Sequence, residues 1–290
     1  MGETGVLLKT LKWRQQPFSL LLRWLTVGSF AVLTLFPLVW MAATALKSPA
    51  EVMTRLSANP FNPHFWPTEP WWPNFQQVWL SGIGRGLVNS IFLSVITVAG
   101  LLVTTLPAAY AFARLEFAGK KWLYSAVLAT LMIPETVTFI PNFLTVASLH
   151  WVDTWQGMTV PFMANAFYIF FLNQYIRQIP QELFDATAID GAGTLRTIVR
   201  IVTPLLSGPL ATVVFLEVLA SWNSLLWPLL ISQSATWRPV AIALARFTSE
   251  EGSQIGLRMA ASLFAILPML LVFLILQRRI TETLVRSGIR

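Results

Sequence analysis

Six stretches of this chain are too long and too apolar to be ordinary core segments: residues 22–46, 87–113, 122–147, 158–175, 210–232 and 255–276. A helix rises 1.5 Å per residue and the hydrocarbon layer is about 30 Å thick, so about 20 apolar residues make one crossing. Lipid offers no hydrogen bonds to a bare backbone, which leaves helices as the form such runs can take. The expectation is an all-α membrane protein with six transmembrane helices: a cytoplasmic segment 1–21, a membrane domain 22–279 and a cytoplasmic tail 280–290. At 55% hydrophobic and 11% charged residues, the composition leaves little material for a separate soluble domain.

Charge placement orients the helices. Fourteen of the twenty Lys and Arg residues fall on the side that also holds both ends, among them Lys9, Lys12, Arg114, Lys120, Arg177, Arg196, Arg278 and Arg279. Cytoplasmic flanks retain such residues, so both termini are expected inside. The same basic residues argue against nucleic acid binding, because they sit at the ends of apolar runs and do not build a stripe on a polar surface. The first run exceeds the apolar core of a secretory signal and reads as an uncleaved crossing. Without cysteine, disulfides and Cys-ligated metal sites are excluded, and with His64 and His150 isolated no metal site is expected.

The connections differ in kind. Residues 47–85 are rich in Pro and Trp and predict an ordered external loop, with Trp66, Trp71 and Trp72 suited to the membrane interface. Pro134 and Pro141 predict a kink or opening in the third run. The longest polar connection, 176–207, is compatible with two short helices about a turn. Pro180 suits a first helical turn, Glu182 and Asp185 lie near its positive end, and Asp190-Gly191 supplies the break. Thr194 is placed to cap a second helix whose Ile198, Ile201, Val202 and Leu205 share one face. On spacing alone this is equally an amphipathic pair resting on the membrane surface.

The residues themselves carry a further likeness. Asp185-Ala186-Thr187, three residues, Gly191, nine residues, Ile201, one residue and Thr203-Pro204 resemble the cytoplasmic signature of ABC importer permeases, Glu-Ala-Ala…Gly…Ile-x-Leu-Pro, with Asp, Thr and Thr as departures. The likeness extends over 89–279 and is nearest to the carbohydrate-uptake branch, through Met132-Ile133-Pro134-Glu135, Ser221-Trp222-Asn223, Leu226-Trp227-Pro228-Leu229 and Leu267-Pro268. It implies a type I ABC importer permease fold with a coupling helix that docks on an ATPase subunit. Leu183, Phe184, Asp185, Ala186, Thr187, Asp190, Gly191, Ala192 and Leu195 would then be the coupling residues. It also implies a second permease, two ATPase subunits, an extracytoplasmic solute-binding protein and a bacterial or archaeal inner membrane.

No Walker A loop is present, since Ala118-Gly119-Lys120-Lys121 lacks the first Gly and the hydroxyl. ATP and Mg are therefore assigned to the partner ATPases, with no cofactor bound by this chain and no catalytic residue. Glu135 and Glu217 lie within apolar runs, where a carboxylate must face the bundle interior. Sugars need aromatic platforms and amide or carboxylate partners, which makes Trp222, Asn223 and Trp227 candidates, with Asn89, Asn165 and Tyr168 behind them. The competing class is a self-sufficient secondary transporter using Glu135 or Glu217 as an ion or proton site.

Overall fold

The computed structural model describes residues 17–54, 65–250 and 254–287. Lys9, Lys12, Arg14, Arg55 and His64 lie outside the described residues, as does the Glu135 side chain. The chain divides into two units, Met1–Asn74 with Ile255–Ala260, and Phe75–Gln254 with Ala261–Arg290.

In the first unit, helix α1 (Pro17–Ala45) is followed by the short α2 (Pro49–Thr54). The exposed surface of α1 is mostly apolar, with Trp24, Phe30, Val32 and Leu33 exposed and Arg23, Thr26, Ser29 and Thr34 the polar exceptions. Such a surface is stable against lipid or another apolar helix and not against water. The end of α1 is fixed by the buried Asn74, whose Nδ2 donates to the Ala45 and Lys47 carbonyls at 2.8 and 2.9 Å. These bonds satisfy acceptors that a helix C-terminus leaves open.

The second unit is built around one long helix. The short α3 (Pro73–Val78) leads through a π-turn, Trp79–Ile83, into α4 (Gly84–Arg114), and Gly82 within the turn has φ of 102°. The third apolar run is not one helix. It forms α5 (Lys120–Ala129) with a 3-10 turn, stops at Ile133-Pro134, and resumes as α6 (Glu135–Ser148) bent by 107°. Pro134 has extended backbone and is the break, whereas Pro141 is absorbed inside α6. The fourth run is also divided, into α7 (Trp155–Thr159), a 3-10 turn over Val160–Phe162, and α8 (Ala166–Arg177), which Asn165 caps by accepting the Phe167 N–H at 2.9 Å.

After the loop helices α9 (Gln181–Ile189), α10 (Thr194–Thr197) and α11 (Thr203–Leu205) come α12 (Ser207–Asn223) and α13 (Leu226–Ile231). Helix α14 (Val240–Glu250) and the long α15 (Ile255–Ser287) complete the order. Both α8 and α12 pack along α4. Among the described residues, three helices are long and apolar enough to cross a membrane, and two bent pairs raise the number to five. The sixth expected crossing falls on the divided fourth run, whose pieces are each too short to count alone.

Apolar clusters of buried residues hold this unit among the described residues. One joins Leu101, Tyr110, Leu172, Ile176, Phe184, Ile198, Val202 and Leu206 at the loop end of α4. Another joins Leu93, Val146, Met158, Trp227 and Ile231 nearer its start.

Candidate functional site: a helical elbow and an internal cavity

The elbow is α9 and α10 about Gly191. Helix α9 begins after Pro180, which occupies the extended cap position and not the first turn. It ends at Asp190, and Gly191 takes φ of 66°, a conformation that costs a residue with a Cβ roughly 1–2 kcal/mol. The Gly191 N–H then donates to the Ala188 carbonyl at 3.1 Å and the Ala192 N–H to the Thr187 carbonyl at 2.9 Å. This pair of bonds is the Schellman closure of a helix and explains why a glycine is needed there. Helix α10 starts from an extended Gly193, so Thr194 is already helical and does not cap it.

The elbow's apolar residues point two ways. Phe184 is 8% exposed and lies against Tyr110 of α4, ring centres 6.2 Å apart, so it faces its own helical bundle. Leu183, Ile189 and Leu195 face outward, Ile189 and Leu195 being 87% and 71% exposed on the two sides of Gly191. Asp185 is exposed and accepts a bond from Gln181 Nε2 at 2.9 Å, and Asp190 is exposed at the helix end. Ala186 is exposed, with Thr187 and Ala192 half-buried.

Beyond α10 the expected apolar face changes phase. A π-turn spans Ile198–Val202, and Ile198, Val202 and Leu206 are buried whereas Leu205 is exposed. The extra residue of a π-turn delays the face by one position.

Arg114, the last residue of α4, gathers this end together. Its Nη2 donates to the Ile176 carbonyl at 2.7 Å, to the Arg177 carbonyl at 3.4 Å and to the Ile179 carbonyl. Its Nη1 donates to Gln181 Oε1 at 2.9 Å, and the guanidinium carbon lies 4.2 Å from the centre of the Phe184 ring.

The second feature is a cavity of about 350 Å³ whose wall comes from α4, α6, α7, α8, α12 and α13. Its polar groups include Ser90, Thr97, Asn142, Asn165, Tyr168, Glu217 and Ser221, with Phe139, Phe162 and Trp227 among the aromatics. Glu217 is 6% exposed, as a carboxylate inside an apolar run must be. Ser94 of α4 and Ser221 of α12 meet at 3.0 Å between their hydroxyls and tie the two walls.

Of the substrate-path candidates, which include the intramembrane carboxylates Glu135 and Glu217, Trp227, Asn165, Tyr168 and Glu217 line this cavity. Trp227 is also a structural pillar: its indole donates to the Gly157 carbonyl at 3.0 Å, and Phe139 and Phe162 meet it edge-on. Trp222 is buried with its indole N–H spent on the Ala265 carbonyl at 3.1 Å, and Asn223 turns back to the Leu219 carbonyl of its own helix. Asn89 donates to the Thr236 and Arg238 carbonyls, both at 3.0 Å, and so pins a connection. Asn142, Ser90 and Thr97 escaped the sequence reading because single small polar residues are common inside membrane bundles.

The connection opposite the elbow is closed by Asp153, which has φ of 57° and accepts the Gln233 and Ser234 N–H groups at 3.1 Å each. Burial pushes its carboxyl up, but the Ser234 hydroxyl and N–H, the Gln233 N–H and the Arg238 charge together bring it below its ordinary range. Among the described residues no cluster of His, Asp and Glu is arranged to hold a metal.

The family model described as "Binding-protein-dependent transport system inner membrane component" matches residues 105–285. The sn-glycerol-3-phosphate transport system permease protein UgpE of Yersinia pestis is 30% identical over 266 residues, covering 88% of this chain and 92% of that protein. The arabinooligosaccharides transport system permease protein AraQ of Halalkalibacterium halodurans is 28% identical over 275 residues, covering 94% and 98%. Among solved structures, a chain of a bacterial ABC transporter involved in the import of the acidic polysaccharide alginate superposes with a TM-score of 0.79 at 21% identity, covering 91% of this chain and 97% of that one. That last likeness concerns the fold. Together these findings give no support to a self-sufficient secondary transporter.

Proposed function

The chain belongs to the family of binding-protein-dependent transport system inner membrane components, and as such is a permease subunit of an ABC importer; from this premise we propose how it works. It forms, with a second permease, the path for a carbohydrate or related polyol. Two ATPase subunits hydrolyse ATP with Mg²⁺, an extracytoplasmic binding protein delivers the solute, and both termini lie in the cytoplasm. The substrate class follows from the relatives, arabinooligosaccharide and glycerol phosphate permeases, together with a cavity of hydroxyl, amide, carboxylate and aromatic groups.

The observation that carries the proposal is the elbow. Ile189 and Leu195 stand exposed on either side of a glycine-closed turn. Apolar side chains held out by a rigid hydrogen-bonded turn are the pattern of a surface that a partner covers. Leu183, Asp185, Ala186, Thr187, Ile189, Asp190, Gly191, Ala192 and Leu195 form that seat, and Phe184 anchors it from behind. Glu217, Asn165, Tyr168 and Trp227 line the substrate path in this subunit.

Affinity purification of the chain from its native membrane tests the proposal. Recovery of an ATPase and a second permease, with substrate-stimulated ATP hydrolysis lost in Gly191→Pro, is the expected result. Protease added to inside-out vesicles should remove a C-terminal tag. A chain that purifies alone and imports solute without ATP would overturn the assignment.

A further inference from the structure

We propose that Arg114 is the positioning residue that makes the elbow move with the walls of the cavity, an inference that rests on the elbow being the ATPase seat. The geometry is a single guanidinium shared among three helices. It is the terminal residue of α4, it bonds the Ile176 and Arg177 carbonyls at the end of α8, and it continues to the Ile179 carbonyl and Gln181 Oε1 at the start of α9.

Each contact has a physical cause. The last carbonyls of α8 have no partner within the helix and form the negative end of its dipole, where a cation is stabilised. The planar fork reaches several acceptors at once, and its face rests on the Phe184 ring, 4.2 Å from the centre. Tyr110, one turn back on α4, supports the same ring. Helix α9 is therefore fastened to α4 by charge on one side and by packing on the other.

Both helices that Arg114 joins to the elbow also reach the cavity. Thr97 of α4 lines it 17 residues before Arg114, about 26 Å along a helix. Asn165 and Tyr168 line it from the start of α8, whose far end Arg114 holds. A displacement of α9 by a closing ATPase thus reaches the cavity wall through two helices gripped at one joint. The joint is a contiguous set of hydrogen bonds and packed side chains, the kind of connection along which a displacement is carried between distant sites.

The test uses the complete importer in proteoliposomes, with Arg114→Gln, Arg114→Lys and Gln181→Ala. This chain has no cysteine, so spin labels placed at Val103→Cys on α4 and Glu182→Cys on α9 before assembly with unlabelled partner subunits report the joint. Arg114→Gln is expected to assemble, to lower solute imported per ATP about tenfold and to broaden the distance between the labels, as loss of charge-assisted bonds requires. Arg114→Lys keeps the charge without the fork and should recover only part of the ratio. An unchanged ratio and an unchanged distance distribution in Arg114→Gln would overturn the inference. If that variant fails to assemble, Gln181→Ala, which removes one exposed acceptor, takes its place under the same criterion. A wild-type complex that imports without ATP overturns the proposed function beneath, and the label distances then decide by themselves whether Arg114 fastens α9 to α4.

Discussion

The two ends of the cavity-bearing unit are closed by opposite charges and left in opposite states. At the elbow, the Arg114 cation gathers carbonyl groups from a helix end, yet Ile189 and Leu195 remain exposed. At the far connection, the Asp153 anion gathers N–H groups from a loop, and Trp227 behind it is buried with its N–H bonded. Both ends satisfy their backbone, but the second turns Trp227 and Ile231 inward beside its closing residue, whereas the first holds Ile189 and Leu195 out on the two sides of its turn. The difference separates a wall, which is finished within the chain, from a seat, which another protein must finish.

The largest expected effect attacks the seat. Gly191→Pro forces φ near −65° where the turn needs 66°, and removes the N–H that closes α9, so uptake should fall at least about a hundredfold with the chain still inserted in the membrane. Uptake assays beside quantitation of membrane-bound chain check it; a small loss would mean that the elbow is not the seat.

An attack on the wall should look different. At Gly157 an added Cβ would lie 2.2 Å from the Trp151 carbonyl oxygen, so Gly157→Ala should lower stability in detergent by about 1–3 kcal/mol. Thermal unfolding measures this, and solute imported per ATP by the assembled fraction should not change. If coupling falls instead, the two ends are not separable.

Between them lies the cavity, where Glu217→Gln keeps shape and removes the carboxylate. Half-maximal substrate for ATPase stimulation should rise about three- to tenfold, the loss of one charge-assisted bond to a solute hydroxyl. An unchanged value would confine Glu217 to packing.

The smallest effect sharpens the wall itself. The Asp153 carboxyl is held below its ordinary range, so its contribution is present above the unfolded value of about 3.9 and is lost as pH falls through the lower folded value. Asp153→Asn tolerates the left-handed backbone and should cost about 1 kcal/mol near neutral pH. The cost should begin to fade below about pH 4, where the unfolded chain protonates, and vanish only once the pH has fallen through the lower folded value, where native wild type loses the same charge. A pH series of melting temperatures checks it, and a difference that persists in acid would trace the effect to backbone and not charge.

Much of this organisation is visible in sequence, for identifiable reasons. The apolar runs and the turn at Gly191 can be read because length and a left-handed glycine are local properties. The break at Pro134 is local too, but the absorption of Pro141 into α6 depends on neighbours. The division of the fourth run escaped notice because Pro161 and Asn165 interrupt it without lowering its apolarity. Trp222 and Trp227 look alike in sequence and differ in which carbonyl each indole finds. In sequence Arg114 signals topology alone: a cation at the end of an apolar run marks the inner side, and only the fold shows that this position also lies beside the last carbonyls of the helix that returns there.

The π-turn at Ile198–Val202 sits within the fixed interval that separates Gly191 from Ile201 and Thr203-Pro204. As a change of sequence, a one-residue deletion there is slight. Physically it is a rotation of about 100° for everything that follows until the next bend, which would swap Leu206 for Leu205 against the bundle. Residue number in this interval is thus a measure of angle, and length variants of the loop ought to be rarer than substitutions in it.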